Sequence, residues 1–282
     1  MRQVCGIYGF AITKPFVVDG LRFVPVHSSF QDAKDSARDL TQYNLTAAVV
    51  TDDLISAEIL FRLEAVLSFI EHLDVVITEP EAFAGNDPLA QFEKTLRIGR
   101  RHNGGGAVIG DDTFFPLSRP TFVRQALLRL GDDSFCDSTG YRTLFFKVTE
   151  TFRQRKPFIE VSYFLLFSGL ETYVRKTLNG AMASDTARLL AQRLRAMDFD
   201  VHAFSASQAV RSMKTYVRLR DALFHNSDFE ATSESGGIAK IYRLTEYFDR
   251  FAILMSLVVI KATEFDDGHL NWDAWFDRQL FK

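Results

Sequence analysis

Cysteine is almost missing from this chain: its 282 residues include two, Cys5 and Cys136. That is too few for a disulfide framework or a thiolate-rich zinc site, and it points to a reducing, cytoplasmic compartment. An excess of positive charge is missing too. With 33 Lys and Arg against 36 Asp and Glu, the formal net charge is −3, so any polyanion site must be built locally. No apolar run is long enough for a bilayer. The longest, FAILMSLVVI at 251–260, reads as a buried helix core, and MRQVCGIYGF lacks an apolar signal core, so no membrane association is expected. Several chemical signatures are absent as well. Without G-x-x-x-x-G-K-[ST] there is no P-loop, and without G-x-S-x-G there is no esterase elbow. The acidic pairs Asp52–Asp53, Asp111–Asp112 and Asp132–Asp133 sit in turn-like contexts with no histidine at ligand spacing, so neither metal nor cofactor is expected.

What is present is ordinary globular material, 47% hydrophobic and 24% charged, in a length that suits two domains. Residues 1–150 mix β-rich runs (VCGIYGFAI, LRFVPV, LTAAVV, LDVVIT) with helical spacing in SFQDAKDSARDL and SAEILFRLEAVLSFIEHL. Residues 151–282 lose the strand signals. KPFIEVSYFLLFSGLETYVRKTL, DTARLLAQRLRAM capped by Ser184 or Asp185, a helix capped at Ser205 or Ser207 and ending near Asn226, and IAKIYRLTEYFDRFAILMSLVVIKATEF predict four helices. HNSDFEATSESGG is expected to be a polar loop. The aromatic tail DDGHLNWDAWFDRQLF is expected to fold back on the bundle or on a partner. The predicted class is α+β: an N-terminal mixed domain that senses or gates, then a helical bundle.

The stretch YVRLRDALFHNSD carries the chemistry. Ala206, Val210, Met213, Val217, Arg220 and Phe224 follow one another in steps of three and four, so Arg220 interrupts an apolar stripe. Arg211, Lys214, Arg218, Asp221 and His225 form the adjoining row, with cations leading to a carboxylate and an imidazole. Asp221 and His225, an i,i+4 pair at a helix C-terminus, could set the tautomer and support the imidazolium. Arg220 and His225 stand roughly 140° apart on an ideal helix. A second copy packed across the Arg220 stripe would bring two arginines and two histidines to one cleft. Such a cleft has the parts for cutting RNA: a base for the ribose 2′-hydroxyl, a guanidinium for the phosphorus-bound charge and an acid for the leaving oxygen. Plainer readings stand beside this one. Arg220 could pair with Glu171 or Glu246 of its own chain, His225 could only satisfy helix-end carbonyls, and the basic row could be a solvated face.

RDALFHN at the end of the third helix of an all-α half resembles the R-x4-6-H motif of the HEPN superfamily (higher eukaryote and prokaryote nucleotide-binding domain). The likeness includes the polar Asp221 after the arginine and Asn226 after the histidine. FSGLETYVRKTL, with Glu171, is similar to the opening helix of its Apea-like branch, found in prokaryotic antiphage and abortive-infection proteins. The resemblance covers roughly residues 150–265. It implies a four-helix HEPN-like bundle and a homodimer with a metal-independent endoribonuclease cleft. Arg220 and His225 would be catalytic, Asp221 would assist, and Arg211, Lys214, Arg218 and Asn226 would contact RNA. It also implies a defence or toxin role with an antitoxin or phage-derived trigger, or else a catalytically silent scaffold. Arg22–His27 and Arg97–His102 repeat the R-x4-H spacing, but RFVPVH is strand-like and RIGRRH runs into three glycines, which could instead form an anion-holding nest at 97–106. Neither reads as a helix end on a bundle.

Overall fold

The computed structural model describes residues 2–96, 106–153, 158–178, 185–235 and 238–282, with side chains at 234, 235 and 238 excepted. The chain is mixed α+β. It forms two compact units, residues 1–131 with 152–156 and residues 132–151 with 157–282.

In the first unit, β1 (Gln3–Tyr8), β2 (Phe16–Val18), β3 (Leu21–Pro25), β4 (Tyr43–Thr51) and β5 (Val76–Ile77) form an antiparallel sheet of order β2-β3-β4-β1-β5. Two further strands join it: β6 (Glu81–Ala82) pairs with β1, and β7 (Thr95–Leu96) with β4. Val4 pairs with Val50 and Gly6 with Ala48, so these residues share a face, which Phe83, Leu89 and Phe92 cover. A Cβ on Gly6 would lie 2.9 Å from the Phe92 ring, so only glycine admits that approach. Cys5, Ile7, Ala47 and Val49 on the other face are buried too. Burial on both faces explains why LTAAVV reads as a continuous apolar run. Helix α1 (Phe30–Ala37) packs on β4. Helix α2 (Ala57–Glu71) packs on α3 (Ser118–Gly131) through stacked Phe69 and Phe122, 5.5 Å apart.

A polar network closes this unit. Glu71, the last residue of α2 and 1% exposed, accepts from Ala11 N at 3.0 Å and pairs with Arg119 at 2.5 Å and Arg38 at 3.4 Å. Arg119, itself 2% exposed, also donates to the carbonyls of Gly110 and Ala11 and lies over Phe10. His72, left-handed at φ 51° as the C-cap of α2, stacks on Phe152 at 3.7 Å. Burial, helped by the Arg38 charge, pulls its pKa from 6.5 down to about 3. Asp111 is a turn residue, bonded to Thr113 N. Its neighbour Asp112 is instead buried and clamps Thr13 N and Lys14 N, each at 2.7 Å.

The second unit holds α4 (Asp133–Thr139), α5 (Tyr141–Arg153, whose last two residues group with the first unit), α6 (Ile159–Thr177), α7 (Thr186–Arg195), α8 (Met213–Asn226), α9 (Leu244–Ala262) and α10 (Ala274–Asp277). Asp132 caps α4 through Phe135 N, and Asp185 caps α7 through Ala187 N; Pro157 and Ser184 lie outside the described residues. The core is aromatic. Phe251 of α9 stacks on Tyr216 of α8 at 5.0 Å and meets Tyr163 of α6 at 5.2 Å, while Tyr163 OH donates to Tyr216 O. FAILMSLVVI lies within α9, nearly all of it buried.

Three expectations for this half change. The unit is not all-α: the stretch expected as a polar loop forms β8 (Glu230–Ser235), paired with β9 (Ile238–Arg243), because Ala231 and Tyr242 are buried while Glu230 and Arg243 form an exposed ion pair. The last long helix consequently begins at Leu244 rather than Ile238. Helix α8 begins at Met213 rather than beyond Ser207, since Ala209–Arg211 form a separate 3₁₀ turn and Ser205 bonds Gln208 N there.

Candidate functional site

Helix α8 turns Met213, Tyr216, Val217 and Leu219 into the core, which leaves its last two turns at the surface. Its C-terminus is closed by the main chain. Ser227 is left-handed at φ 57°, its N–H reaches Leu223 O at 3.1 Å, and Asp228 N reaches Ala222 O at 3.2 Å. His225 is therefore not needed to satisfy those carbonyls. Its ring is exposed and makes no hydrogen bond among the described residues.

Arg220 is half-buried, with 24% of its side chain exposed, and its guanidinium lies 5.0 Å from the centre of the Phe167 ring on α6. The intrachain acids named as partners are engaged elsewhere: Glu171 binds Arg175 at 2.7 Å, and Glu246 lies 3.8 Å from Arg243. Arg220 instead faces its neighbour Asp221, Nε to Oδ1 at 3.3 Å. The approach of adjacent residues is too poorly angled for a hydrogen bond, so Nε stays shielded and without a hydrogen-bond partner among the described residues. The Arg220 charge also reaches the Tyr163 phenol, opposing the rise in pKa that burial imposes there.

The expected constellation assembles in part. Arg220 and Asp221 meet. Asp221 and His225 share no bond among the described residues, because the carboxylate lies against Arg220. Arg220 and His225 do not meet within one chain, as helical spacing requires. Lys214 and Arg218 are half-buried on α8 with no ion-pair partner among the described residues, and Asn226 is exposed. Arg211 departs from the basic row. It lies in the 3₁₀ turn before the helix, pairs with Asp200 and sits 4.3 Å from the Phe276 ring, so the folded-back tail takes it out of any track along α8.

An exposed apolar face borders the Phe167–Arg220 contact. Phe164 and Phe224 pack at 5.0 Å, one turn from the Phe167–Arg220 contact, and with Val161, Leu223 and Phe229 they line a surface cavity of about 480 Å³. Phe158, Val161, Phe164, Phe224 and Phe229 are all 42% exposed or more. In the sequence its signal is the i,i+3 pair Phe164–Phe167, a spacing that a helix interior also produces. Among the described residues no three His, Cys, Asp or Glu side chains gather as a metal-binding group. No helix among them is long and apolar enough to cross a membrane. Of the look-alike spacings, Arg22 is exposed on β3 with His27 just past the strand, and 97–105 lies outside the described residues. Comparison of the chain with family models, with curated proteins and with solved structures returns no match.

Proposed function

We propose that the second unit is a HEPN-like endoribonuclease domain whose cleft is completed by a second copy of the chain. The observation that carries the reading is Arg220. It is held half-buried on Phe167 beside an exposed apolar face, no acid from another helix neutralises it among the described residues, and the exposed His225 lies five residues on. A homodimer packed on the Phe164–Phe224 face would cover apolar surface that is costly to leave wet and would bring each Arg220 toward the partner's helix end. In that cleft one imidazole takes the 2′-hydroxyl proton, the 2′-oxygen attacks phosphorus, and the P–O5′ bond breaks. The departing 5′-oxygen takes a proton from the other imidazole, leaving a 2′,3′-cyclic phosphate and a 5′-hydroxyl. Arg220 stabilises the charge on the phosphoryl oxygens, Asp221 positions Arg220, and Lys214, Arg218 and Asn226 hold the strand. The first unit then senses or gates. Antiphage defence or toxin action, under an antitoxin or a phage-derived trigger in the cytoplasm, belongs to the same proposal.

One observation favours a second reading, a silent HEPN-like dimerisation scaffold: Arg220 stacks on Phe167 and faces its own neighbour, as a purely structural arginine would. Incubating wild type and His225→Ala with labelled RNA and matched DNA in EDTA separates the two. The nuclease reading expects RNA alone to be cut and the variant to lose roughly 100-fold or more in rate. A folded dimer that cuts nothing supports the scaffold.

A further inference from the structure

The first unit contains a cavity of about 550 Å³ where β4 begins, within the range of small-ligand sites. Its walls are fixed by hydrogen bonds. Leu45 N donates to Lys94 O at 2.9 Å, which ties the 87–95 segment to β4, and Val26 N donates to Thr46 O at 2.9 Å, which sets the exit from β3. The Asn44 amide donates to Ser36 O at 3.1 Å and so holds α1 against the same spot. The lining is apolar at Leu45, Leu89 and Phe92, with three polar groups uncommitted among the described residues. His27 lines the cavity with its Nε2 unbonded and shielded from water, so a turn of the ring toward the cavity would give that nitrogen a ligand partner it otherwise lacks. Lys94 is exposed and without an ion pair, and Asp87 uses only Oδ1, to cap Leu89 N.

We propose that this cavity binds a ribonucleoside monophosphate, its base against Leu89 and Phe92 with an edge to His27 Nε2, its ribose hydroxyls on Asp87 and its phosphate on Lys94. A wholly apolar ligand would leave His27 unpaired and Lys94 unused. A polyanionic strand needs more than one cation, and a free amino acid, which could use both charges, underfills the space. The site stands apart from the nuclease reading.

The test is calorimetric titration of the full chain with AMP, GMP, CMP and UMP, with the matching nucleoside, inorganic phosphate and tryptophan as comparisons. At least one nucleotide should bind, one molecule per chain, roughly tenfold more tightly than its nucleoside, and Lys94→Ala should abolish that difference. His27→Phe should weaken nucleotide binding at least about tenfold with an unchanged circular dichroism spectrum. If that variant does not fold, Leu89→Trp, which fills the cavity, should do the same. The proposal is overturned if none of the four nucleotides gives saturable binding at millimolar concentration, if the cavity variants bind as wild type does, or if phosphate or tryptophan binds as well as the nucleotides.

Discussion

Arg119 and Arg220 are both helix-borne arginines set against a phenylalanine ring, and the protein settles their charges in opposite ways. Arg119 is 2% exposed, paired with an acid from another helix and bonded to two carbonyls. Arg220 is 24% exposed, faces only the residue next to it and keeps a shielded Nε without a hydrogen bond among the described residues. A buried guanidinium that holds a fold together has every donor spoken for. One that keeps donors in reserve at a surface cleft is suited to a ligand. Arg193 and Arg211 also leave Nε unbonded, but each bonds through other guanidinium nitrogens, to Tyr173 Oη and to Asp200, whereas Arg220 makes no hydrogen bond among the described residues.

The contrast can be broken first at Arg119. Arg119→Ala leaves Glu71 buried without its main partner and should cost about 3–5 kcal/mol in urea unfolding. A loss below about 1 kcal/mol would mean that the network carries no stability. The acid limb of the same network is the next largest effect. His72 is held neutral, with its pKa lowered from 6.5 to about 3, whereas the unfolded chain takes up its proton near 6.5. The unfolded state therefore binds more protons between those values. The contribution is intact above pH 6.5 and lost as pH falls below it, at up to about 1.4 kcal/mol per pH unit. Unfolding at pH 7, 6 and 5 should show a shallower acid slope for His72→Asn, which tolerates the left-handed backbone, than for wild type. Arg220→Met sharpens the comparison from the other side: it removes an unsatisfied donor and keeps the contact with Phe167, so stability should move by less than about 1 kcal/mol. A loss as large as that for Arg119 would make Arg220 structural. Smallest is Glu171→Ala, which breaks a partly exposed i,i+4 pair with Arg175 and should cost about 0.3–0.5 kcal/mol by thermal unfolding.

The sequence made some of this legible and hid the rest. Periodicity marks α2, α6, α8 and α9 because each buries a stripe or more, and β1 and β4 because both faces are covered. The hairpin β8–β9 was hidden because EATSES offers only small buried side chains, and IAKIYR shares its apolar spacing with the helix that follows. Glu71–Arg119 and Asp112–Thr13 join residues 48 and 99 positions apart, which no local pattern reports. At the candidate site, the interruption of the stripe by Arg220 was visible. The capture of Arg211 by Phe276 was not, because it depends on the path of a tail that returns from 65 residues away in the chain (276 − 211).

The proposed nuclease chemistry at the Arg220–His225 end of α8 requires the RNA's own 2′-hydroxyl at the cleaved position. An RNA oligonucleotide mapped for its cleavage site and then resynthesised with a single 2′-deoxy residue at that site, incubated with wild-type protein and with Arg220→Met, tests this directly. The first RNA should yield a 2′,3′-cyclic phosphate product, with no cleavage at the deoxy position and a deep loss of rate in the variant despite unchanged stability. Cleavage that ignores the missing hydroxyl, or that survives in Arg220→Met at the wild-type rate, would contradict it.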